Sequence, residues 1–236
     1  MRGSPDCLAV SSYNIHRCIG RDGRMSPERI SEVIQEMNCD IIGLQEVDSH
    51  RSNGGLSYQM DYLSEATGFV AIPGPTIQTQ ERHYGNVLLT AHPVLEVRRM
   101  DLSVRGRENR GALDVDLEIH NRRIRVVVTH FGLFGTERRQ QTQRLLTHLR
   151  KESCGMCILL GDINNWLPFG TISHRLNFHF GRSPLQRTYP ACFPVLGLDR
   201  IWVNPPRALL DISVHRSRLA RIASDHLPLK AFIRAD

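Results

Sequence analysis

Four short apolar runs stand out along the chain, at residues 8–13, 40–44, 126–129 and 156–160. Runs of this length that are rich in Val, Ile and Leu are typical of buried strands. Each run ends abruptly in carboxylate, carboxamide or imidazole groups, although burying even a neutral polar group without a partner costs on the order of 2–7 kcal/mol. The pattern therefore predicts that these polar groups share one site at the edge of a sheet, which is typical of a hydrolase.

The polar groups that follow these runs have the same chemistry as those in two later segments, 198–201 and 224–226. The combined set is Asn14, His16, Gln45, Glu46, His130, Asp162, Asn164, Asp199, Asp225 and His226. Each residue alone has an ordinary structural explanation, such as a turn residue or a hydrogen-bonded core histidine. Six segments of matching chemistry together favour a catalytic site.

Helical spacing is clearest after Ser26, which is a good helix cap, with Pro27 at the first helical position. Residues 30, 33, 34 and 37 are apolar and form one stripe at helical spacing. Further helices are predicted over residues 56–67, ended by a glycine, from Thr136 through Lys151, and around residues 171–177.

Strand signals dominate the rest of the chain. Residues 113–119 alternate apolar side chains with Asp114, Asp116 and Glu118, a period of two, and residues 120–122 turn the chain into a hairpin with residues 124–130. Other strands are predicted at 40–47, 86–90, 94–102, 156–160, 198–203, 208–214 and 227–233. This order predicts an α/β fold in a single domain, residues 1–236, with two sheets packed face to face and helices outside.

Composition narrows the class of protein without deciding its function. The chain has 236 residues, 41% hydrophobic and 23% charged, and a formal net charge of +6, which favours polyanionic partners. The basic clusters at 105–110 and 122–125 are interpreted as solvated hairpin faces more than as binding patches. No apolar stretch is long enough to span a membrane and no signal-peptide run is visible, so we expect a cytoplasmic protein.

Six cysteines could suggest disulfides, but without a secretory signal we expect reduced thiols. Cys154 and Cys157 form the one CxxC pair in the sequence. A zinc ribbon needs a second pair, so we interpret these as ordinary thiols.

Five residues of the polar set could bind a metal ion through oxygen atoms: Asn14, Glu46, Asp162, Asn164 and Asp225. Oxygen ligands without sulfur suit Mg²⁺ or Mn²⁺ rather than zinc. Such an ion would neutralise charge that develops on a phosphoryl group. His226 can accept a proton from water if a carboxylate fixes its tautomer, and Asp199 is a candidate for that carboxylate. Asp162 could then orient the water.

Ordered motifs give the chain a resemblance to the endonuclease/exonuclease/phosphatase superfamily, which includes DNase I, exonuclease III, neutral sphingomyelinases and inositol polyphosphate 5-phosphatases. They are Tyr13-Asn14-Ile15-His16, Leu44-Gln45-Glu46-Val47, Thr129-His130-Phe131, Gly161-Asp162-Ile163-Asn164, Leu198-Asp199-Arg200-Ile201 and Ser224-Asp225-His226-Leu227-Pro228. The resemblance spans residues 13–228. It implies a four-layer α/β/β/α sandwich of two mainly antiparallel sheets, DNase I-like, and Mg²⁺- or Mn²⁺-dependent cleavage of a phosphoester.

The resemblance also implies a role for each matching residue. Glu46, Asn14 and Asp225 would hold the metal, and Asp162 and Asn164 would position water and phosphate. His226, paired with Asp199, would act as base or contact the phosphate. His130 would contact the scissile phosphate, and an acid role like that in the DNase I and sphingomyelinase branches is one alternative for it. The resemblance leaves open which of His130 and His226 is the base and which the acid. Asn14 and Asn164 would bind phosphate oxygens.

The substrate stays open at this point. Val47-Asp48 after the metal-binding Glu46, and His16 where an acid is typical, weigh against an abasic-site endonuclease. No signal peptide of a secreted DNase and no exposed aromatic hairpin of a sphingomyelinase is evident. We expect a monomeric phosphodiesterase acting on nucleic acid, a phospholipid headgroup or a small phosphodiester. One alternative is a phosphomonoesterase of an inositol phosphate or nucleotide, whose extra phosphates the basic loop at residues 105–110 could bind. The other is a non-catalytic binding module that kept the fold.

Overall fold

The structure, a computed structural model, describes residues 7–52, 55–79, 82–150, 155–166 and 170–235. The strands in these ranges are β1 (Cys7–Asn14), β2 (Ile41–Ser52), β3 (Gly55–Ser57), β4 (Val70–Gln78), β5 (Arg82–Thr90), β6 (Val94–Asp101), β7 (Gly111–Ile119), β8 (Arg122–His130), β9 (Met156–Asp162), β10 (Asp199–Asn204), β11 (Leu209–Val214) and β12 (Leu229–Arg234). The helices are α1 (Pro27–Met37), α2 (Gln59–Thr67), α3 (Gly135–Leu149), α4 (Thr171–Phe180) and α5 (Ala220–Ala223).

The strands form two sheets that pack face to face. The first has the order β11-β12-β1-β2-β5-β4, with β3 beside β2, and the second has the order β10-β9-β8-β7-β6. Neighbouring strands are antiparallel except for β1 with β2 and β8 with β9, which are parallel. One apolar cluster fills the space between the sheets, a second lies under α1, α2 and α5, and a third lies under α3 and α4. The predicted four-layer, mainly antiparallel sandwich is confirmed.

The two sheets approach closely at Gly43, near the start of β2. A Cβ atom added there would lie 2.0 Å from Cδ1 of Leu160, which projects from β9 of the other sheet. Every larger residue at position 43 would therefore push the two sheets apart or displace Leu160.

Helix α1 forms as the sequence predicts. The Oγ atom of Ser26 accepts a hydrogen bond from the backbone N–H of Arg29 at 3.2 Å, and Pro27 is the first helical residue. The apolar stripe is buried against the first sheet, and Asn38 ends the helix in the left-handed conformation.

Several predicted boundaries are wrong. Residues 55–57 pair with β2 as a strand, so α2 begins at Gln59 and not at residue 56. Strand β4 escaped prediction because Pro73 and Pro75 interrupt its pattern; it lies at the edge of the first sheet, where missing N–H donors are tolerated. Helix α3 begins one residue before Thr136, and the predicted end at residue 151 lies outside the described residues.

The alternation of apolar and acidic residues in β7 does not separate a buried face from an exposed one. Asp114 and Asp116 are both buried. Asp114 accepts hydrogen bonds from Arg98 and Arg125, and His148 of α3 lies 2.8 Å from the same carboxylate. The buried charge is therefore paired on several sides, which is what a carboxylate in an interior requires.

Five of the six cysteines lie in the described ranges, at positions 7, 18, 39, 157 and 192, and they form no disulfide bond with one another. Cys154 of the CxxC pair lies outside the described residues. Among the helices of the described ranges, none combines the length and the apolar character that crossing a bilayer requires.

Candidate active site

Strand direction brings the predicted polar groups to one edge of the sandwich. Strand β1 ends at Asn14, which pairs with Gln45 of the parallel strand β2, and Glu46 follows inside β2, not at its end as the sequence predicted. Strands β8 and β9, also parallel, end at His130 and Asp162. Strand β10 runs antiparallel to β9 and begins with Asp199 opposite Asp162. The loop before β12 joins this edge because Ser224 donates a hydrogen bond from Oγ to the carbonyl oxygen of Asn14 at 2.8 Å.

Glu46 lies in a β-bulge. The pairing of β2 with β5 shifts between Leu44 and Val47, so that Gln45 and Glu46 together face Asn86 of β5. The φ angle of Glu46 is 58°, in the left-handed region that a residue with a side chain rarely adopts. Bulges redirect side chains, and strained backbone of this kind concentrates at functional sites.

Gly161 allows β9 to end beside β8. Its φ angle is 151°, and a Cβ atom there would lie 1.9 Å from the carbonyl oxygen of Thr129. Asp162 follows, and its Oδ1 atom accepts the backbone N–H of Asn164 at 2.8 Å, which stabilises Asn164 at a φ angle of 50°. Asp162 is the last residue of β9, and the chain leaves the strand after it.

Of the eight residues to which the family resemblance gives a role, seven line one open cavity of about 490 Å³, whereas His16 and Gln45 of the wider polar set are not among its lining residues. The eighth, Asp199, is fully buried behind His226. The lining residues are Asn14, Arg17, Glu46, Ile77, Arg82, Tyr84, Glu108, Arg110, His130, Leu133, Asp162, Asn164, Trp166, Tyr189, Leu198, Asp225 and His226.

Asn14 joins the acidic groups of the two sheets. Its Nδ2 atom donates to Glu46 Oε1 at 3.2 Å and to Asp162 Oδ2 at 3.1 Å. Asp225 lies on the same cavity and is half-buried, with Oδ1 3.9 Å from Nδ1 of His16. Glu46 and Asp225 thus offer carboxylate oxygens to the open part of the cavity, a donor set that fits a hard divalent cation.

A second group of possible metal ligands is more enclosed. Ligand atoms of Asp162, Asp199 and His226 lie within 4.8 Å of one another. However, Asp199 Oδ2 already accepts a hydrogen bond from Thr188 at 2.5 Å and lies 2.8 Å from His226 Nδ1. The ligand atoms of this group are thus already engaged in hydrogen bonds, whereas the half-buried carboxylates of Glu46 and Asp225 line the open cavity.

His226 is held by carboxylates on both sides. Its Nδ1 atom lies 2.8 Å from Asp199, and its Nε2 atom lies 3.7 Å from Asp162 Oδ2. Burial alone lowers the pKa of His226, but the charges of Asp199 and Asp162 outweigh it and raise that pKa to about 10. Burial raises the pKa of Asp162 to about 6, although the charge of His226 opposes the shift.

His130 has a different environment. Its Nδ1 atom lies 3.1 Å from Nη1 of Arg110, and its Nε2 atom lies 3.1 Å from Nδ2 of Asn164 and 3.5 Å from Asp162 Oδ2. Burial first, and then the charges of Arg110 and His226, hold the pKa of His130 well below its usual range. His130 is therefore neutral where His226 is readily protonated.

Sequence reasoning missed several lining residues. Arg110 belongs to the basic cluster that was interpreted as a solvated hairpin face, yet it is only 5% exposed and reaches His130. Only its position directly before a buried strand, β7, could have indicated this. Leu133 and Trp166, which also line the cavity, are 59% and 58% exposed, so exposed apolar groups lie at its mouth although they form no hairpin.

The segment after Asn14 also contributes to the cavity. His16, Arg17 and Cys18 all have left-handed φ angles, of 46°, 54° and 58°. Such a turn costs roughly 1–2 kcal/mol per residue and needs support from its surroundings. The buried Cys18 and a hydrogen bond from Gln59 to the carbonyl oxygen of Arg17 provide that support, and the exposed Arg17 lines the cavity.

Comparisons with known proteins agree with this architecture. The model of the Endonuclease/Exonuclease/phosphatase family matches residues 11–226. A relative from Escherichia coli K12, "Uncharacterized protein YbhP", is 28% identical over 244 residues that cover 95% of this chain and 95% of that protein.

Two solved structures share the fold. The endonuclease/exonuclease/phosphatase from Bacteroides vulgatus has a TM-score of 0.79 at 17% identity, with 98% of this chain and 99% of that chain covered. The mannosyl-6-phosphatase Bt3783 of Bacteroides thetaiotaomicron has a TM-score of 0.70 at 16% identity, with 95% and 98% covered.

Proposed function

Because the chain belongs to the endonuclease/exonuclease/phosphatase family, whose members are hydrolytic phosphoesterases, we propose that it is a phosphodiesterase that depends on Mg²⁺ or Mn²⁺. One observation carries the proposal: Asn14 links Glu46 to Oδ2 of Asp162, and Nε2 of His226 lies 3.7 Å from that same oxygen. Oxygen donors for a cation and a carboxylate-supported histidine thus flank one point of the cavity.

Glu46 and Asp225, with Asn14 beside them, would hold the ion. When bound, the ion supplies positive charge that polarises the phosphoryl group and stabilises the charge developing on it. The left-handed bulge at Glu46 supports this assignment because it turns the carboxylate toward the cavity edge.

The chain's own residues would handle water, protons and phosphate. Asp162 accepts hydrogen bonds from Asn14 and from the N–H of Asn164, which fixes its carboxylate where it can orient a water molecule. His226 presents Nε2 to the cavity while Asp199 fixes Nδ1, so a proton is exchanged at Nε2. Asn14, Asn164 and His130 provide the polar groups nearest the phosphate position.

The shape of the cavity favours a diester over a monoester. The cavity is open, and its mouth carries the exposed side chains of Leu133 and Trp166 beside Asn164. Apolar surface of this kind would contact the second esterified group, for which a nucleoside and a lipid glycerol are candidates. A phosphomonoesterase is the second candidate, because the exposed Arg17 could bind a dianionic phosphate, which suits an arginine.

A substrate panel with each metal tests the proposal. Purified protein with Mg²⁺ or Mn²⁺ should cleave at least one of DNA, RNA, phospholipids and chromogenic phosphodiesters faster than chromogenic or sugar phosphomonoesters. Glu46→Gln should lose the activity, whereas Glu65→Gln on the exposed face of α2 should keep it. Cleavage of monoesters alone would favour the second candidate, and no hydrolysis of any ester would contradict both.

Metal binding can be measured without a substrate. An ion that binds only the folded protein stabilises it by about 2.7 kcal/mol at a concentration one hundred times its dissociation constant. Mg²⁺ or Mn²⁺ should therefore raise the unfolding temperature of the wild type, and Glu46→Gln should remove this increase. An equal increase in both proteins would place the metal elsewhere.

A further inference from the structure

Arg110 and His130 form a buried contact next to the phosphate position. Arg110 immediately precedes β7 and is 5% exposed, and its Nη1 atom lies 3.1 Å from Nδ1 of His130. Its Nη2 atom donates to Glu108 at 2.8 Å, which orients the guanidinium group. The geometry is therefore that of a guanidinium aimed at one ring nitrogen.

This contact decides where the ring hydrogen lies. A guanidinium group only donates hydrogen bonds and stays charged, so Nδ1 of His130 must accept from Arg110. A neutral imidazole has one accepting nitrogen, which leaves its hydrogen on Nε2. Oδ2 of Asp162 lies 3.5 Å from Nε2. The lone pair on Nδ1 therefore faces the Arg110 cation, and the N–H of Nε2 faces the Asp162 carboxylate.

Asn164 is the competing neighbour. Its Nδ2 atom lies 3.1 Å from Nε2 of His130, and it also donates to the carbonyl oxygen of Phe131 at 2.9 Å. If Asn164 donated to Nε2, the ring hydrogen would move to Nδ1 and point at the Arg110 cation. Charge-assisted hydrogen bonds are roughly twice as strong as neutral ones, so Arg110 prevails over the amide.

We propose that Arg110 is a positioning residue that fixes His130 as a neutral ring with its hydrogen on Nε2, so that His130 donates a hydrogen bond to a phosphoryl oxygen and does not supply the proton to the leaving group. The phosphate part rests on the proposed function, whereas the tautomer does not. This donor role differs from the acid role that the family resemblance suggested for His130.

The surroundings of His130 agree with a permanently neutral ring. The charged groups that face it are Arg110 from the segment before β7, Asp162 from the end of β9 and His226 from the loop before β12. Two of the three are cationic or readily become so, and the ring is buried. A second proton on Nδ1 would have to point directly at the Arg110 cation.

Nitrogen-15 NMR of histidine-labelled protein tests the tautomer directly. The His130 signals, identified by their absence in His130→Gln, should show a single Nε2–H form between about pH 5 and pH 8. Arg110→Met should produce a mixture of tautomers or a titrating ring. Arg82→Met, which removes an arginine of the same cavity that is paired with Asp48, should leave the His130 signals unchanged.

An Nδ1–H form in the wild type, or a ring that titrates between these pH values, would overturn the proposal. Because this measurement needs no substrate, it stands even if the substrate panel shows no hydrolysis.

Kinetics test the donor role once a substrate is known. Gln offers an N–H close to the position of Nε2, so His130→Gln should keep more of kcat than His130→Ala. In His130→Ala, kcat should fall by a factor of about 10²–10³, as when one hydrogen-bond donor to the transition state is removed. Equal losses in the two variants would indicate that His130 transfers a proton.

Discussion

Gln59 of α2 donates a hydrogen bond from Nε2 to the carbonyl oxygen of Arg17 at 2.7 Å, across the left-handed turn that follows Asn14. Its Oε1 atom accepts the backbone N–H of Asp48 at 2.9 Å. A single buried amide thus connects the strand that carries Glu46 to the turn that carries Arg17.

Replacing this amide by Leu should loosen the turn. Gln59→Leu leaves the N–H of Asp48 without its partner, which should lower the free energy of unfolding by about 1–3 kcal/mol. It should also raise KM more than it lowers kcat, because Arg17 is displaced while Asp162 and His226 are not. Urea unfolding and steady-state kinetics measure the two effects.

Gln35→Leu is the matched control, since Gln35 makes a similar bond to the carbonyl oxygen of Ala66 but is exposed. Equal destabilisation by the two variants would show that burial of the bond is unimportant.

The left-handed backbone of Glu46 predicts an unusual order of stability. Glu46→Ala and Glu46→Gly both remove the carboxylate and should both be inactive. Glycine adopts a φ angle of 58° without strain, so the Gly variant should be the more stable one, by on the order of 1 kcal/mol. At Glu118, exposed in β7 and not left-handed, Ala should instead be more stable than Gly. If thermal unfolding showed the Ala variant to be more stable than the Gly variant at position 46 as well as at position 118, strain at Glu46 would be contradicted.

The pairing of Asp199 with His226 predicts a defect in kcat. Asp199→Asn keeps the shape but removes the charge that supports a protonated His226, and kcat should fall by about 10²–10⁴ with little change in KM. Thr188→Val removes a different hydrogen bond to the same Asp199 oxygen and should cost far less. Circular dichroism confirms folding of both variants. A kcat of Asp199→Asn close to that of the wild type would leave His226 without a role in proton transfer.

Asp114 should make the fold sensitive to acid. Burial opposes its charge, but hydrogen bonds from Arg125, Arg98 and His148 lower its pKa from 3.8 to about 2. Because the folded pKa lies below the unfolded one, the stabilisation is complete above about pH 4 and is lost as the pH falls toward 2. Its size is about 2 kcal/mol.

Urea unfolding between pH 7 and pH 2 measures this dependence. Asp114→Asn should be less stable than the wild type at neutral pH, with a difference that shrinks in acid. The exposed Asp61→Asn in α2 serves as control, and a pH profile that Asp114→Asn does not flatten would assign the acid sensitivity to other carboxylates.

Strand ends were the part of the site that the sequence could reveal. Asn14, His130 and Asp162 each terminate an apolar run, and parallel pairing brings such ends to one edge, so their convergence followed from local patterns. The cap at Ser26 and the left-handed turn at residues 120–121 were equally local. Features that depend on a few neighbouring residues are those that a sequence displays.

Features that depend on distant partners stayed hidden. Arg110 looks like any other arginine of its basic cluster until β7 and β8 place it beside His130. The burial of Asp114 depends on α3, which covers the sheet, and on Arg98 of the neighbouring strand β6. The strand β4 depends on an edge position that tolerates Pro73. No local pattern contains this information.

The absence of a side chain at Gly43 affects the distance between the two halves of the candidate site. Asn14 and Glu46 belong to one sheet and Asp162 to the other, so the 3.1 Å bond between Asn14 and Asp162 measures the gap between the sheets. Gly43 leaves room for Cδ1 of Leu160 between the sheets. A methyl group added at position 43 would have to displace Leu160 or part the sheets, and parting them would stretch the bond between Asn14 and Asp162 without touching either residue.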